Sequence, residues 1–155
     1  MKQKICIIAS ILSLILGLTS KGVCQWVQTN GPYGGTVTCF EKKGSILFAG
    51  TQGSGVFRSM DNGKSWKVIS NGLSSLKVST LLVKGEDLFV GTFDGTDPNG
   101  QWMSSVFHST DSGTTWQPAW SGLYSSYINC CASCGSQFYA GSSDNGVFIP
   151  SNNGV

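Results

Sequence analysis

The sequence predicts an all-β repeat protein made of four-stranded antiparallel units, and three observations carry that prediction. The octapeptide Ser59-Met60-Asp61-Asn62-Gly63-Lys64-Ser65-Trp66 returns as Ser109-Thr110-Asp111-Ser112-Gly113-Thr114-Thr115-Trp116. Leu47-Phe48-Ala49-Gly50-Thr51 returns twice, as Leu88-Phe89-Val90-Gly91-Thr92 and Phe138-Tyr139-Ala140-Gly141-Ser142, which sets a unit of about 40 residues. The third observation is compositional: short runs rich in Val, Phe, Trp and Thr are separated by Gly, Asn, Asp and Ser, the chemistry of strands and turns.

In chain order, each unit opens on a short run, 37–41, 78–82 or 128–132, closed by Gly44, Gly85 or Gly135. The segments starting at Leu47, Leu88 and Phe138 form its second strand. A third strand follows at 55–59, 105–109 and 146–150; a fourth runs from Trp66 to Ile69 and from Trp116 to Trp120, followed by Gly72 and Gly122. The second unit is the longer because 94–103 is inserted between its second and third strands. Trp26-Val27-Gln28-Thr29-Asn30-Gly31 repeats the fourth-strand pattern with no strands of its own unit before it. The expected organisation is a leader at 1–24, the outer strand of a closing unit at 25–35, units at 36–76 and 77–126, and an incomplete unit at 127–155. Helix is not supported anywhere after the leader.

Four strands in about 40 residues is the size of one β-propeller blade, so the expected fold is a partial β-propeller of four-stranded antiparallel blades. The octapeptide resembles the Asp-box, S-x-D-x-G-x-[ST]-W, of the BNR-repeat propellers, whose relatives include sialidases, the sortilin luminal domain and a photosystem assembly factor. Two copies are full, and a third survives in part at 150–154 with Asn152 at the aspartate position. Six to eight blades need roughly 240–320 residues, so the remaining blades are expected in a longer chain, and the fragment is expected to expose two open sheet edges.

The box chemistry reads as structural. Asp61 and Asp111 fall in the turn between third and fourth strands, where a short carboxylate accepts backbone N–H groups. Gly63 and Gly113 supply a positive φ, Ser59 and Ser109 add a hydroxyl, and Trp66 and Trp116 bury a ring at the start of the outer strand. If these residues were catalytic, every blade would need its own active site.

Lys2 and Lys4 precede an apolar stretch, 5–18, that is short for a membrane span and suits a secretory signal. Gly22 and Cys24 place small residues before a cut between Cys24 and Gln25; a lipid anchor on Cys24 is the alternative, although Lys21 stands where an apolar residue normally precedes such a cysteine. The expected location is secreted or cell-surface, with no membrane span after signal removal. Loss of Lys2, Lys4 and Lys21 brings the formal charge of +2 close to balance, which removes the electrostatic case for nucleic acid. Of six cysteines, Cys39, Cys130, Cys131 and Cys134 remain. Cys39 and Cys130 occupy one repeat position with Thr80 between them, so the blades should hold them apart. Cys131 and Cys134 are placed to flank a hairpin, leaving open a local disulfide, half of a zinc or redox site, or free core thiols. No second pair or nearby histidine completes a metal site, and no cofactor is called for.

The insertion is the one departure from the repeat. It falls on the face of a propeller opposite the Asp-box turns, and carries Trp102 and Met103, residue types that anchor binding surfaces. Asp94, Asp97 and Asn99 offer oxygen ligands without the closing acid of an EF-hand, so a plain turn-rich loop, a partner-binding loop and a calcium loop all stand. Asp61→Ala is expected to destabilise the blade and Trp102→Ala to leave stability nearly unchanged.

Catalytic readings fare worse. The sialidase resemblance implies several arginines and a tyrosine paired with an acid, but the chain has one arginine, Arg58, at a position filled by His108 and Ile149 in the other units. His108 is the only histidine, and Glu41, Glu86 and Asp94 are scattered. A photosystem-type assembly factor calls for a basic patch that one arginine does not supply. The reading is a secreted, non-catalytic module that binds a protein or glycan partner or serves as scaffold; the alternative is a fragment of a sialidase-like glycoside hydrolase whose catalytic residues lie in missing blades.

Overall fold

The computed structural model describes residues 25–96, 102–119, 127–143 and 145–150, with backbone alone at 94–96 and 102–105. Residues 1–24, including Cys24, and Asn152 lie outside them. The described chain is all-β, a partial β-propeller of three consecutive antiparallel sheets. Sheet one holds β1 (Val37–Lys43), β2 (Ile46–Thr51), β3 (Gly55–Ser59) and β4 (Lys67–Val68), in that spatial order. Sheet two holds β5 (Val78–Lys84), β6 (Asp87–Thr96), β7 (Trp102–Ser109) and β8 (Gln117–Pro118). Sheet three holds β9 (Ile128–Cys134), β10 (Gln137–Ser142) and β11 (Val147–Phe148). No helix among the described residues is long and apolar enough to cross a membrane.

The meander order follows from the tight turns at Gly44, Gly85 and Gly135, each at a φ near +60° that favours glycine. Registers repeat with the sequence: Phe40 pairs with Ala49 and Ala49 with Phe57 in sheet one, as Leu81 pairs with Val90 and Val90 with Phe107 in sheet two. Each first strand also carries a bulge near its start.

Because neighbouring residues of a strand face opposite ways, each sheet has two faces, and both are apolar inside the stack. Phe48, Val56 and Ile69 on the second face of sheet one pack against Leu81, Val90, Phe107 and Trp116 on the first face of sheet two. The arrangement repeats one step on, with Leu82, Phe89 and Val106 of sheet two against Ile128, Phe138 and Ala140 of sheet three. The recurring glycine of the second strand has a packing reason: a Cβ on Gly50 would collide with Cys39 Sγ and Val78 Cγ1, and one on Gly91 would meet Thr80 Cγ2 at 2.8 Å. At Gly50 the close neighbours include Val78 on the next sheet's first strand, whereas at Gly91 they are Thr80 and Ser79 of its own sheet, with Ile128 Cγ2 of the next sheet at 3.4 Å. Polar links follow the same path, with Thr38 Oγ1 donating to Val78 O (2.8 Å) and Cys131 N–H donating to Thr80 Oγ1 (3.2 Å).

Three expectations need correction. The fourth strands are only two residues long in sheets one and two, although the Ile69 N–H still donates to Val56 O (2.8 Å) and the Ala119 N–H to Val106 O (2.7 Å); the Trp116 N–H, facing away from β7, donates to Asn71 O of the preceding blade (2.9 Å). Residues 25–35 form no strand, and Trp26 is 94% exposed. Cys131 and Cys134 do not flank a hairpin: both lie on β9, three positions apart and so on opposite faces, and both are free thiols.

Candidate functional site

The two octapeptide turns, which resemble an Asp-box and are called boxes below, repeat the same bonding. Ser59 Oγ donates to Asp61 Oδ1 (2.8 Å) and accepts the Gly63 N–H (2.8 Å); Asp61 then accepts the Ser65 N–H at Oδ1 (2.9 Å) and the Ser65 hydroxyl at Oδ2 (2.6 Å). In blade two the same four bonds join Ser109, Asp111, Gly113 and Thr115 at 2.7–2.9 Å. Gly63 and Gly113 sit at φ 84° and 82° as the motif requires, while Asn62 and Ser112 also enter the left-handed region, at 59° and 57°. Both carboxylates are committed on both oxygens to their own turn. Oδ1 accepts two of these bonds and Oδ2 one in each box.

Those bonds stabilise the ionised form. The Ser65 hydroxyl and N–H lower the Asp61 carboxyl to about 2, and the Thr115 N–H and hydroxyl do the same for Asp111, against an ordinary 3.8. A folded-state value below the unfolded one adds stability that is fully present above about pH 4 and is lost as the pH falls through 2. The melting temperature is therefore expected to hold level down to about pH 4 and drop below it, and the double variant Asp61→Asn Asp111→Asn should melt lower and show a shallower acid slope. A pH series of thermal melts checks both.

The box tryptophans differ. Trp116 is buried at the interface between blades one and two, its Nε1–H donating to Ile69 O at 2.6 Å, whereas Trp66 is only partly buried and its Nε1 has no acceptor. Thus the second box fastens its blade to the one before it.

At the other end of sheet two, β6 and β7 run on into the two ends of the insertion, with Gly95 opposite Met103 and Thr96 opposite Trp102 after a bulge at Phe93–Gly95. Asp94 lies on β6, and Trp102 and Met103 open β7; Asp97 and Asn99 lie outside the described residues. Because β6 and β7 are antiparallel, this arm projects from the end of the sheet opposite the Asp-box turn.

Among the described residues, His108 and Arg58 stand in separate surroundings. His108 Nε2 stands 3.3 Å from Asp87 Oδ1 without hydrogen-bond geometry, and its ring stacks on Phe89 at 4.8 Å, so it is wedged into the blade surface. Arg58 Nη1 donates to Ser112 O (2.9 Å), bridging blade one to the next blade's box turn, and with Lys67, Ile69, Asn71 and Thr114 it lines a groove of about 340 Å³. Nothing in the single arginine at Arg58 announced that groove, because it depends on the neighbouring blade's turn. Burial pushes the Cys131 thiol up to about 12, which makes it inert, and the described residues hold no cluster of three His, Cys, Asp or Glu fit for a metal.

No family model matches the chain, and no curated protein matches it. Solved structures do. The chain is similar to YCF48 from Cyanidioschyzon merolae (TM-score 0.61, 14% identity, covering 84% of this chain and 38% of that one). It is also similar to the Niastella koreensis GH74 enzyme (TM-score 0.51, 22% identity, 72% and 19%) and to the computationally designed Ika8 protein (TM-score 0.54, 16% identity, 73% and 32%). The chain spans between 19% and 38% of the length of these three structures, and the likeness is one of fold: an all-β protein of the β-propeller kind.

Proposed function

We propose that the chain is a non-catalytic BNR/Asp-box propeller module of an exported protein, and that it binds a protein or glycan partner through the β6–β7 arm. The observation that carries this is the full commitment of both Asp-box carboxylates to their own turns, which leaves the repeated residues to architecture. The arm is the feature that breaks the repeat, and loops and extensions at the ends of rigid blades are where such scaffolds place binding residues. The wedged His108 and the bridging Arg58 support a role without bond-making chemistry.

The test pairs two assays on the purified chain. Fluorogenic sialosides and β-glucosides are expected to show no turnover, and a glycan array is expected to retain the chain in a way that Trp102→Ala abolishes. Retention by no glycan moves the partner to the protein class. Turnover lost on replacing Arg58 would overturn the proposal in favour of a sialidase-like fragment.

A further inference from the structure

The groove between blades one and two holds a charge that the surrounding fold does not neutralise. Arg58 on β3 stands directly opposite Lys67 on β4, so two cations share a cross-strand position where like charges repel. The same position of sheet two holds His108 and Gln117, so the blade as a repeating unit does not require the pair. Carboxylates do not offset it either. Among the described residues Glu86 pairs with Lys43, Asp87 stands beside His108, and Asp61 and Asp111 turn onto their own boxes.

Bonds between the blades hold the walls of the groove in place. The Arg58 Nη1–H donates to Ser112 O of the second box, which fixes the guanidinium at the rim and leaves the rest of its fork to face a ligand. Trp116 donates its indole N–H to Ile69 O and its backbone N–H to Asn71 O, so both carbonyls beside the groove already meet a donor. Val68 and the buried Ile69 supply an apolar surface, and Thr114 closes the far side from blade two. Two cations thus lie at one end of a preformed groove with carbon along its length.

We propose that this groove binds a phosphate monoester the size of a sugar phosphate, with the phosphate between Arg58 and Lys67 and the organic group over Val68 toward Thr114. A phosphate monoester carries about −1.5 to −2 charge at neutral pH, which matches two adjacent cations, whereas a carboxylate or a sulfate ester carries a single charge. Arginine offers two oxygens a planar fork, and lysine adds a point charge beside it. A groove of about 340 Å³ is at the small end of ligand sites and holds a phosphate with one ring. The box carboxylates and the β6–β7 arm take no part, so the site is independent of the partner proposed for the arm.

Calorimetric titration of the purified chain with glucose 6-phosphate, glucose 6-sulfate and glucose tests the site. Saturable heat is expected with the phosphate, an affinity about tenfold or more lower with the sulfate ester, and no binding of glucose itself. Lys67 is exposed, so Lys67→Gln should keep the parent's cooperative melt and weaken glucose 6-phosphate roughly tenfold. Lys77→Gln removes the same charge at the arm end of the blades, where the Lys77 carbonyl accepts the Phe93 N–H, and should leave the affinity unchanged. Arg58→Gln should abolish binding; the comparison of Lys67→Gln with Lys77→Gln stands by itself if that variant lacks a cooperative melt. No saturable heat with glucose 6-phosphate, equal affinity for the sulfate ester, or equal losses in Lys67→Gln and Lys77→Gln would overturn the proposal.

Discussion

Trp116→Ala is expected to cost about 3–5 kcal/mol, since it empties a buried indole site between blades one and two and strands the Ile69 carbonyl that the ring's N–H now satisfies. The matching change at Trp66 should cost less, on the order of 1–2 kcal/mol, because that ring is only partly buried and its N–H has no acceptor to lose. Urea unfolding of the two variants, compared at constant slope, measures the difference. Equal losses would mean that the motif stabilises its own turn and not the contact with the blade before it.

The second large effect is expected at Gly72. Its φ of 97° is strained for any residue with a Cβ, and that Cβ would lie against the carbonyl oxygen of Trp116, a backbone atom held by its neighbouring N–H bond to Asn71. Gly72→Ala should therefore cost about 3 kcal/mol or more, combining backbone strain with forced separation of two blades. Gly85→Ala is the control, since at φ 61° its Cβ meets nothing within 4 Å, and only the left-handed term of about 1 kcal/mol remains. Similar losses at the two sites would show that conformation alone, and not blade contact, fixes Gly72.

Much of this architecture was legible in the residues. Strand order, the four-strand unit and the octapeptide turn all came from aligned copies, because a repeat exposes which positions are constrained by packing in every blade: Gly50 and Gly91 against first-strand side chains, Ser59 and Ser109 inside the turn. The features that were missed depend on a neighbouring blade or on backbone pairing that a single run does not reveal. The bond from the Trp116 N–H to Asn71 O is one such contact between units. The arm was read as a loop because Asp94-Gly95-Thr96-Asp97-Pro98 has turn composition, yet its first three residues extend β6. Cys131 and Cys134 looked like hairpin neighbours, but β9 runs through both before turning at Gly135. Asn62 and Ser112 in the left-handed region were not foreseen, although asparagine tolerates it.

The central claim is that the box end of the blades is architectural and the arm end is free for binding, and paired thermal melts of Asp111→Ala and Trp102→Ala test it most directly. The expected result is a clear fall in melting temperature for Asp111→Ala, through loss of the four-bond turn network, with Trp102→Ala within a degree or so of the parent. A Trp102→Ala variant that melts as low as Asp111→Ala would contradict it, for the arm would then belong to the core.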